Sequence, residues 1–426
     1  MRTAPIPAWT ILLAAAAFVM VARTVGWMDG IGRLLLGAPP LSGSWELSVS
    51  ARAVWPVALG ALVVALAPVA IARLRWWVLL ASAWAASAVF TVALAAVDGR
   101  EAVSYPLTTG FEYRAVLGEI EERGVGSFMR DFVDRLPGYP THVRGHPAGT
   151  PLVFWVQERL GLEGAEWSAA IVILVGTSVV VSAAVVVRLV CGESVARRAV
   201  PFLALTPSLV WVGTSADAFV AGVVASAVAL IAVATYRTDA WSPIAALTAG
   251  AMGATALHLS YGAVVMLLPM LAVVVATRRW STLALASIGA AAVTGVFVAG
   301  GFWWFDGLEA TRAEYVKGAG GFRPFWYFAT LGNPAALALA LGPAVVVALV
   351  RLRDRRLWWV VGGALAGVVL ADVSGMSKGE VERIWLPFVP FLSVAAAGLP
   401  RARLRWWLAA QASAAVALQI GLESPW

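Results

Sequence analysis

The chain has 426 residues, of which 61% are hydrophobic and 13% are charged, and its mean hydropathy is +0.83. These values exclude a soluble enzyme, a collagen-like fibre and a disordered chain, and they are typical of a membrane protein. The single cysteine, Cys191, excludes an intrachain disulfide and argues against a cysteine-based metal site. The net charge of +7 falls in small clusters between apolar runs, which indicates membrane orientation rather than a nucleic-acid surface.

Apolar stretches recur along the whole chain and predict about thirteen membrane spans. They lie near 8–28, 51–71, 76–97, 166–190, 199–213, 217–236, 243–257, 260–276, 281–304, 325–350, 357–373, 384–400 and 406–421. We therefore expect an all-α, polytopic transmembrane helical bundle that forms a single membrane domain over residues 1–426. The first stretch is interpreted as a span, because no small-residue cleavage site with a soluble domain follows it.

Lysine and arginine cluster in alternate connections, as in RLR at 73–75, RLRDRR at 351–356 and RARLR at 401–405. By the bias of basic residues toward the cytoplasm, these connections lie inside, and so does the amino terminus of a multi-pass plasma membrane protein. Almost all acidic residues then lie outside. The extracytoplasmic loops are a large one at 98–150 and two smaller ones at 305–324 and 374–383.

The 98–150 loop contains two amphipathic helical patterns, which predict helices lying on the outer membrane surface. The expected apolar faces are Tyr113, Val116, Leu117 and Ile120 in the first pattern, and Met129, Phe132, Val133 and Leu136 in the second. Ser127 is the expected cap of the second helix. The alternative is that both helices merely cover the spans, without a role in a site.

A turn at 145–149, Gly-His-Pro-Ala-Gly, leads into a run of about ten residues that begins at Thr150-Pro151 and ends at Leu160. So short a helix cannot cross a bilayer, and it needs protein or a water-filled cavity around it. We therefore expect a polar cavity at the outer leaflet, lined by the surface helices and the turn.

These segments resemble the glycosyltransferase-C superfamily, and in particular its actinobacterial members. The likeness rests on the Glu112-Tyr113 pair, HVRGHPAGTPLVFW at 142–155, the residues Ser215 to Ala218 and SKGEVERIWLPF at 377–388. Members commonly carry Pro-Pro where this chain has Pro147-Ala148. The resemblance implies a membrane glycosyltransferase that uses a polyprenyl-phosphate sugar.

The resemblance also implies one carboxylate in the first large outer loop that takes a proton from the acceptor hydroxyl. Asp98 and Glu112 are the two catalytic candidates, and Glu112 is favoured because it occupies the acidic-aromatic position beside Tyr113, a substrate-binding candidate. Asp98 could instead be a helix-end acid in a turn with Gly99. Glu112 could instead be a solvated residue on a helix face.

A leaving phosphate requires positive charge. On the outer side Arg144, Arg312, Lys317, Arg323, Lys378 and Arg383 can supply it. We prefer Lys378 and Arg383, since an arginine directly before an apolar helix is costly unless it is paired or binds phosphate. Glu380 and Glu382 share this loop as substrate-binding candidates, and an intramolecular ion-pair cluster is the alternative. Arg144 is a further candidate because it adjoins the turn.

The remaining candidates for substrate binding are His146, Asp217, His258 and Tyr261. His146 stands at the tip of the turn and can bond substrate or a loop carboxylate. His258 and Tyr261 lie near the outer end of a span, and Asp217 opens a span, where it either caps the helix or faces the cavity. His142 and His146 lie within a Gly-Pro turn rather than on a helix, so their rings need not converge, and no metal site and no cofactor are expected; a divalent cation is compatible but not indicated.

The sequence therefore favours an enzyme that moves a sugar from a polyprenyl phosphate to an extracytoplasmic acceptor, which is a cell-envelope glycan or glycolipid. Its partners are the donor lipid, the acceptor and membrane lipids, with no nucleic acid. The alternative is a transporter or flippase of a lipid-linked or hydrophobic substrate. Ionisable residues near the middle of spans would favour transport, whereas here they gather at the outer ends. A non-catalytic scaffold is the third possibility.

Overall fold

The computed structural model describes residues 6–28, 31–213 and 215–425. Within these residues the regular structure is helical, apart from two isolated β-bridges that join Ala38 to Leu41 and Ser44 to Glu423. The all-α helical architecture is thereby confirmed.

The described residues form a series of α-helices. In chain order they are α1 (Ala8–Met28), α2 (Ile31–Leu34), α3 (Val54–Arg73), α4 (Trp76–Ala95), α5 (Leu117–Arg123), α6 (Val125–Arg130), α7 (Phe132–Arg135), α8 (Thr141–Arg144), α9 (Gly149–Arg159), α10 (Ala165–Thr177), α11 (Val179–Cys191), α12 (Glu193–Ala204), α13 (Leu209–Val212), α14 (Ala216–Tyr236), α15 (Trp241–Leu259), α16 (Leu267–Thr277), α17 (Ser281–Ala299), α18 (Trp304–Lys317), α19 (Ala319–Phe322), α20 (Phe325–Tyr327), α21 (Asn333–Val350), α22 (Leu357–Val373), α23 (Val381–Ile384), α24 (Val389–Ser393) and α25 (Leu404–Gly421). The connections between α2 and α3 and between α4 and α5 are long. Short 3₁₀ turns link several of the helices, including Ala96–Asp98, Tyr113–Val116, Tyr261–Met266, Val394–Gly398 and Arg401–Arg403, and a π-helical turn, Phe328–Gly332, precedes α21.

Seven helical segments of the described chain have the length and hydropathy needed to cross a membrane. They are Ala8–Met28, Ala51–Arg73, Trp76–Asp98, Ala165–Cys191, Ala216–Tyr236, Ser281–Ala299 and Phe325–Val350. Three shorter apolar segments join them: Tyr261–Thr277, Leu357–Val373 and Val389–Gly398. The expected stretch at 199–213 is divided into α12 and α13, because Pro207 disfavours helical backbone at the residue before it.

Helix α14 lies at the centre of the bundle. In its membrane-spanning window 72% of the residues are buried, compared with 17% for α1, α3 and α17 at the periphery. Its neighbours are α10, α11, α15 and α16. A polar residue in the first turn of α14 is therefore surrounded by protein, and this position is where Asp217 stands.

Helices α15 and α17 approach each other through glycine. A Cβ atom added at Gly250 would lie 1.7 Å from the carbonyl oxygen of Ala286, and one at Gly289 would lie 2.0 Å from that of Leu247. Small residues allow such close backbone contact between membrane helices, where packing rather than the hydrophobic effect drives association.

We predict that Gly250→Ala lowers the thermal stability of the detergent-solubilised protein, since the added methyl group must push α15 from α17 at a cost of about 1–3 kcal/mol. Gly295→Ala is the matched control, because a Cβ atom on that α17 glycine has no atom within 4 Å among the described residues. It should leave the melting temperature unchanged or raise it slightly. Equal melting temperatures for the two variants would contradict the close contact.

Candidate functional site

The 98–150 loop folds into short helices that bury the expected apolar faces. Tyr113 and Val116 lie in a 3₁₀ turn that runs directly into α5, and they are buried together with Leu117 and Ile120. In the second pattern Met129, Phe132 and Leu136 are buried and Val133 is half-buried. Ser127 lies inside α6 and accepts a hydrogen bond from Arg130, so it is not the cap. The loop is thus anchored to the bundle by these faces.

The turn at 145–149 is held against the end of α15. Thr150 donates its hydroxyl hydrogen to the carbonyl oxygen of Leu259 at 2.6 Å. A Cβ atom at Gly149 would lie 2.3 Å from the carbonyl oxygen of His258, so glycine permits the approach. Helix α9 follows with eleven residues, in agreement with the expected short helix. These contacts fix His146 relative to the central helices.

Glu112 is buried and oriented by a histidine. It precedes the Tyr113–Val116 turn with only 4% of its surface exposed, and its Oε1 atom lies 2.7 Å from Nδ1 of His142. Its Oε2 atom is also buried and has no hydrogen-bond partner among the described residues. A carboxylate that is fixed at one oxygen and has no hydrogen-bond partner at the other can accept a proton from a hydroxyl group that reaches it.

Tyr113 and His146 extend this arrangement toward α14. Nδ1 of His146 lies 2.9 Å from both the Tyr113 hydroxyl and the carbonyl oxygen of His142. Because a carbonyl oxygen can only accept, Nδ1 carries the hydrogen in this geometry. Nε2 then faces Oδ1 of Asp217 at 3.8 Å. Burial, followed by the charges of Asp217 and Glu112, raises the pKa of Tyr113 well above its ordinary value, so its hydroxyl stays protonated.

Arg383 connects this group to the second half of the chain. Its Nη1 atom lies 2.5 Å from Oδ2 of Asp217, and its Nη2 atom lies 2.7 Å from Oε2 of Glu380. Arg323 approaches the other oxygen of Glu380 at 3.1 Å. Burial alone would raise the pKa of Glu380, but the charges of Arg383 and Arg323 lower it to about 2. The ion pairs therefore join groups from three distant stretches of sequence.

Asp217 is in the first turn of α14, but the cap of that helix is Ser215. The Ser215 hydroxyl accepts the backbone N–H of Asp217 at 3.1 Å and donates to its carboxylate at 2.9 Å. The carboxylate itself is directed to Arg383 and His146. The helix cap is therefore Ser215, and the side chain of Asp217 takes part in contacts with other segments of the chain.

Lys378 lies beside the ion pairs with a different set of partners. Its ammonium group donates to the carbonyl oxygens of Gly320 at 2.5 Å and Arg323 at 3.2 Å. Among the described residues no carboxylate lies within ion-pair distance of it. Its positive charge is therefore held in place but not neutralised by a salt bridge.

A cavity of about 320 Å³ opens next to Asp217. Its walls are mainly apolar and come from the Tyr261–Met266 turn, the end of α22 and the segment after α23. Ser260, Ser374 and Ser377 add polar atoms to the lining, as does Tyr261. The cavity thus combines mainly apolar walls with hydroxyl groups and the carboxylate of Asp217.

Other sequence-predicted residues lie apart from the network. Asp98 accepts a hydrogen bond from Gln419 of α25 at 2.7 Å. The Arg144 guanidinium lies 3.7 Å from Glu314 of α18. His258 bonds the carbonyl oxygen of Ala254 at 2.9 Å within α15 and stacks on Phe297 with ring centroids 4.0 Å apart.

Glu382 is fully buried on the far side of α23 from Arg383's partners. Its Oε1 atom accepts the backbone N–H of Ser42 at 2.8 Å. Burial raises its pKa to about 7, and the nearby charge of Glu380 acts in the same direction. Glu382 is therefore a structural link to the 38–42 segment rather than a partner of the cations.

Two residues of the network were not among the preferred sequence candidates. His142 was considered only as a metal ligand, and Arg323 only as one of several outer cations. Arg323 donates to the carbonyl oxygens of Leu34 at 2.9 Å and Lys378 at 2.5 Å, besides bonding Glu380. Nothing in the sequence around Arg323 distinguished it from the other cations of the outer side.

No group of three or more histidine, cysteine, aspartate or glutamate side chains in the described part of the chain could hold a metal ion. No family model and no curated protein matches the sequence. Among solved structures, the crystal structure of ArnT from Cupriavidus metallidurans in the apo state is similar, with 16% identity and a TM-score of 0.40. The match covers 64% of this chain and 54% of that chain, so the chain spans about half the length of that protein. At this degree of likeness, function has to be argued from the geometry of the site.

We predict that Glu382 makes stability depend on pH. In the unfolded chain its carboxyl ionises near 4.5, whereas in the fold it keeps a proton up to about pH 7. Between these values the folded protein binds more protons than the unfolded chain, so stability is highest below this window and falls as pH rises through it, by about 3 kcal/mol.

The measurement is the melting temperature in detergent between pH 4.5 and 8. Glu382→Gln keeps an acceptor for Ser42 without a charge, and it should flatten the decline and melt higher than the wild type at pH 8. Glu163→Gln, a change at an exposed acid, should leave the profile unchanged. If the melting temperature of the Glu382→Gln variant depends on pH as that of the wild type does, the buried carboxyl does not titrate in this range.

Proposed function

We propose that the chain is a plasma membrane glycosyltransferase that moves a sugar from a polyprenyl phosphate to an acceptor hydroxyl on the outer face. The carrying observation is that Glu112 is buried and oriented by His142, whose carbonyl oxygen bonds His146, and that His146 in turn faces the Asp217–Arg383 ion pair. The sequence resemblance to the glycosyltransferase-C superfamily supports the same reading. The acceptor class we propose is a cell-envelope glycan or glycolipid.

In the proposed reaction Glu112 is the general base. Its Oε2 atom, which has no hydrogen-bond partner among the described residues, accepts the proton of the acceptor hydroxyl. The hydrogen bond from His142 fixes the orientation of the carboxylate. The acceptor oxygen forms a bond to the anomeric carbon as the bond from that carbon to the phosphate oxygen breaks. The electron pair of the broken bond leaves with the polyprenyl phosphate. Such base assistance is worth roughly 100-fold to 10,000-fold in rate.

The leaving phosphate requires a cation whose charge is not already compensated. Arg383 is held between Asp217 and Glu380, whereas Lys378 bonds only carbonyl oxygens. We therefore assign phosphate binding to Lys378 and a positioning role to Arg383, which fixes the two carboxylates. Ammonium groups commonly bind phosphate as point charges.

The apolar cavity beside Asp217 supports a lipid-linked donor. A prenyl chain is a long hydrocarbon, and the cavity offers it apolar walls that include Trp385 and Phe388. The polar end near Ser374 and Ser377 would then receive the phosphate. A donor could enter this cavity from the membrane without crossing water.

The distribution of charge favours an enzyme over a transporter. Glu112 precedes a helical turn, Asp217 lies in the first turn of α14, and Arg383 lies in the four-residue helix α23. These groups stand at helix ends. A pathway through the bilayer would require ionisable groups along the middle of the spans.

We predict that Glu112→Gln lowers sugar transfer by about 100-fold to 10,000-fold, because the amide cannot take up the acceptor proton. The measurement is release of polyprenyl phosphate by the purified protein, supplied with a panel of polyprenyl-phosphate sugars and envelope glycan acceptors. Binding of the donor should be retained, since the amide fills the same space.

Two matched variants separate the alternatives. Asp98→Asn removes the other candidate base, and Glu122→Gln neutralises an exposed acid of α5; both should keep turnover within a few-fold of the wild type. If Asp98→Asn abolishes turnover and Glu112→Gln remains active, the general base is Asp98 rather than Glu112. If a labelled polyprenyl-phosphate sugar crosses the bilayer of proteoliposomes and no polyprenyl phosphate is released, the protein is a flippase and not a glycosyltransferase.

A further inference from the structure

A second cavity lies at the end of the bundle that carries the arginine-rich connections, away from the candidate functional site. Its volume is about 410 Å³, and it is bounded by α3, α12 and the segment that runs from the Val394–Gly398 turn to the start of α25. The apolar part of the wall includes Ile71, Phe202 and Leu404. Three arginines complete the lining: Arg197, Arg198 and Arg401.

Arg197 has hydrogen-bond and ion-pair partners within the protein. Its Nε atom bonds Glu193 at 2.7 Å, and its Nη1 atom donates to the carbonyl oxygens of Ile71 at 3.0 Å and Leu74 at 2.9 Å. These contacts fix its guanidinium as part of the wall. Its charge is compensated by Glu193.

Arg198 and Arg401 differ from Arg197 in their contacts. The Nε atom of Arg198 is buried and has no hydrogen-bond partner among the described residues. Burial lowers the pKa of Arg198, and the like charge of Arg401 lowers it further. Two like charges beside a partly apolar cavity repel each other, and an anion bound at the cavity would relieve that repulsion.

The carboxylates nearest to these arginines are engaged elsewhere. Glu193 is shared by Arg197 and Arg188, which lies 2.8 Å from its other oxygen. Asp354 is near enough to favour the charged form of Arg198, but its Oδ1 atom accepts the backbone N–H groups of Arg356 and Leu357 at the start of α22. Neither Arg198 nor Arg401 forms a salt bridge with a carboxylate of the described residues, so an anion from outside the chain can add to the compensation.

The surroundings select a lipid as the source of that anion. Guanidinium groups bind phosphate oxygens in a two-pronged geometry, and basic pockets between membrane helices at this depth are suited to phospholipid head groups. Trp77, which is exposed at the start of α4 directly after the arginine-rich 73–75 segment, marks the interfacial layer where lipid phosphates lie at this end of the bundle. The apolar wall gives an acyl chain a surface that free phosphate would leave unused.

We propose that this cavity binds an anionic phospholipid, with its phosphate between Arg198 and Arg401 and an acyl chain along the wall formed by Ile71, Phe202 and Leu404. The site is separate from sugar transfer and does not depend on the proposed function. The lipid would also bridge α3, α12 and α25, so its binding should stabilise the fold.

The test uses the full-length protein in a mild detergent, with melting temperature and native mass spectrometry as readouts. Dioleoyl phosphatidylglycerol should raise the melting temperature, whereas dioleoyl phosphatidylcholine and inorganic phosphate should not. The Arg198→Gln/Arg401→Gln double variant should bind phosphatidylglycerol about tenfold more weakly or worse, since two charged hydrogen-bonding groups are lost. It should also retain one lipid fewer in the mass spectrum.

The matched control is Arg353→Gln/Arg355→Gln, which removes the same charge from exposed positions in a connection that does not line the cavity. It should bind phosphatidylglycerol as the wild type does. If the double variant is too unstable to purify, Arg401→Gln alone, at an exposed position, should weaken binding several-fold. Equal stabilisation of the wild type and the cavity variant, or equal protection by inorganic phosphate alone, would overturn the proposal.

Discussion

The burial of Arg383 between Asp217 and Glu380 is the constraint on which the candidate site depends. Its side chain is 7% exposed and that of Asp217 is 9% exposed, so both charges have lost most of their hydration. Ions withdrawn from water are tolerated only when their partners are close and well placed, and removal of one partner typically costs 3–5 kcal/mol. The pair therefore fixes the position of α23 against the first turn of α14.

This constraint reaches the rest of the network through shared atoms. Asp217 faces His146 with one oxygen and Arg383 with the other, and Glu380 divides its oxygens between Arg383 and Arg323 in the same way. Glu380 also has a left-handed backbone, with a φ of 59°, which a non-glycine residue adopts only where its surroundings stabilise it. The 374–383 loop is thus held in one conformation by its charges. Such fixed dipoles and charges are what electrostatic catalysis requires, because they need no reorganisation during the reaction.

The sequence predicted the features that follow from helical spacing within one segment. It did not predict contacts between residues that lie far apart in the chain. The burial of Tyr113, Leu117 and Ile120 followed from helical spacing, and the short α9 followed from the length of its apolar run. Nothing local indicates that Arg383 bonds a carboxylate 166 residues earlier in the chain. The same limitation left Asp98 as a second candidate base beside the favoured Glu112, whereas the fold directs Asp98 to Gln419 and Glu112 to His142.

Charge compensation also distinguishes the cavity beside Asp217 from the cavity beside Arg198. Near Asp217 the arginines already have carboxylate partners, so a phosphate there gains chiefly from Lys378, whose donors meet only carbonyl oxygens. At the other cavity neither Arg198 nor Arg401 has a salt-bridge partner among the described residues, and the Nε atom of Arg198 is buried without a hydrogen bond. The two cavities therefore differ in how far the protein itself compensates its cations. Carboxylates do so beside Asp217, whereas the proposed lipid phosphate would do so beside Arg198.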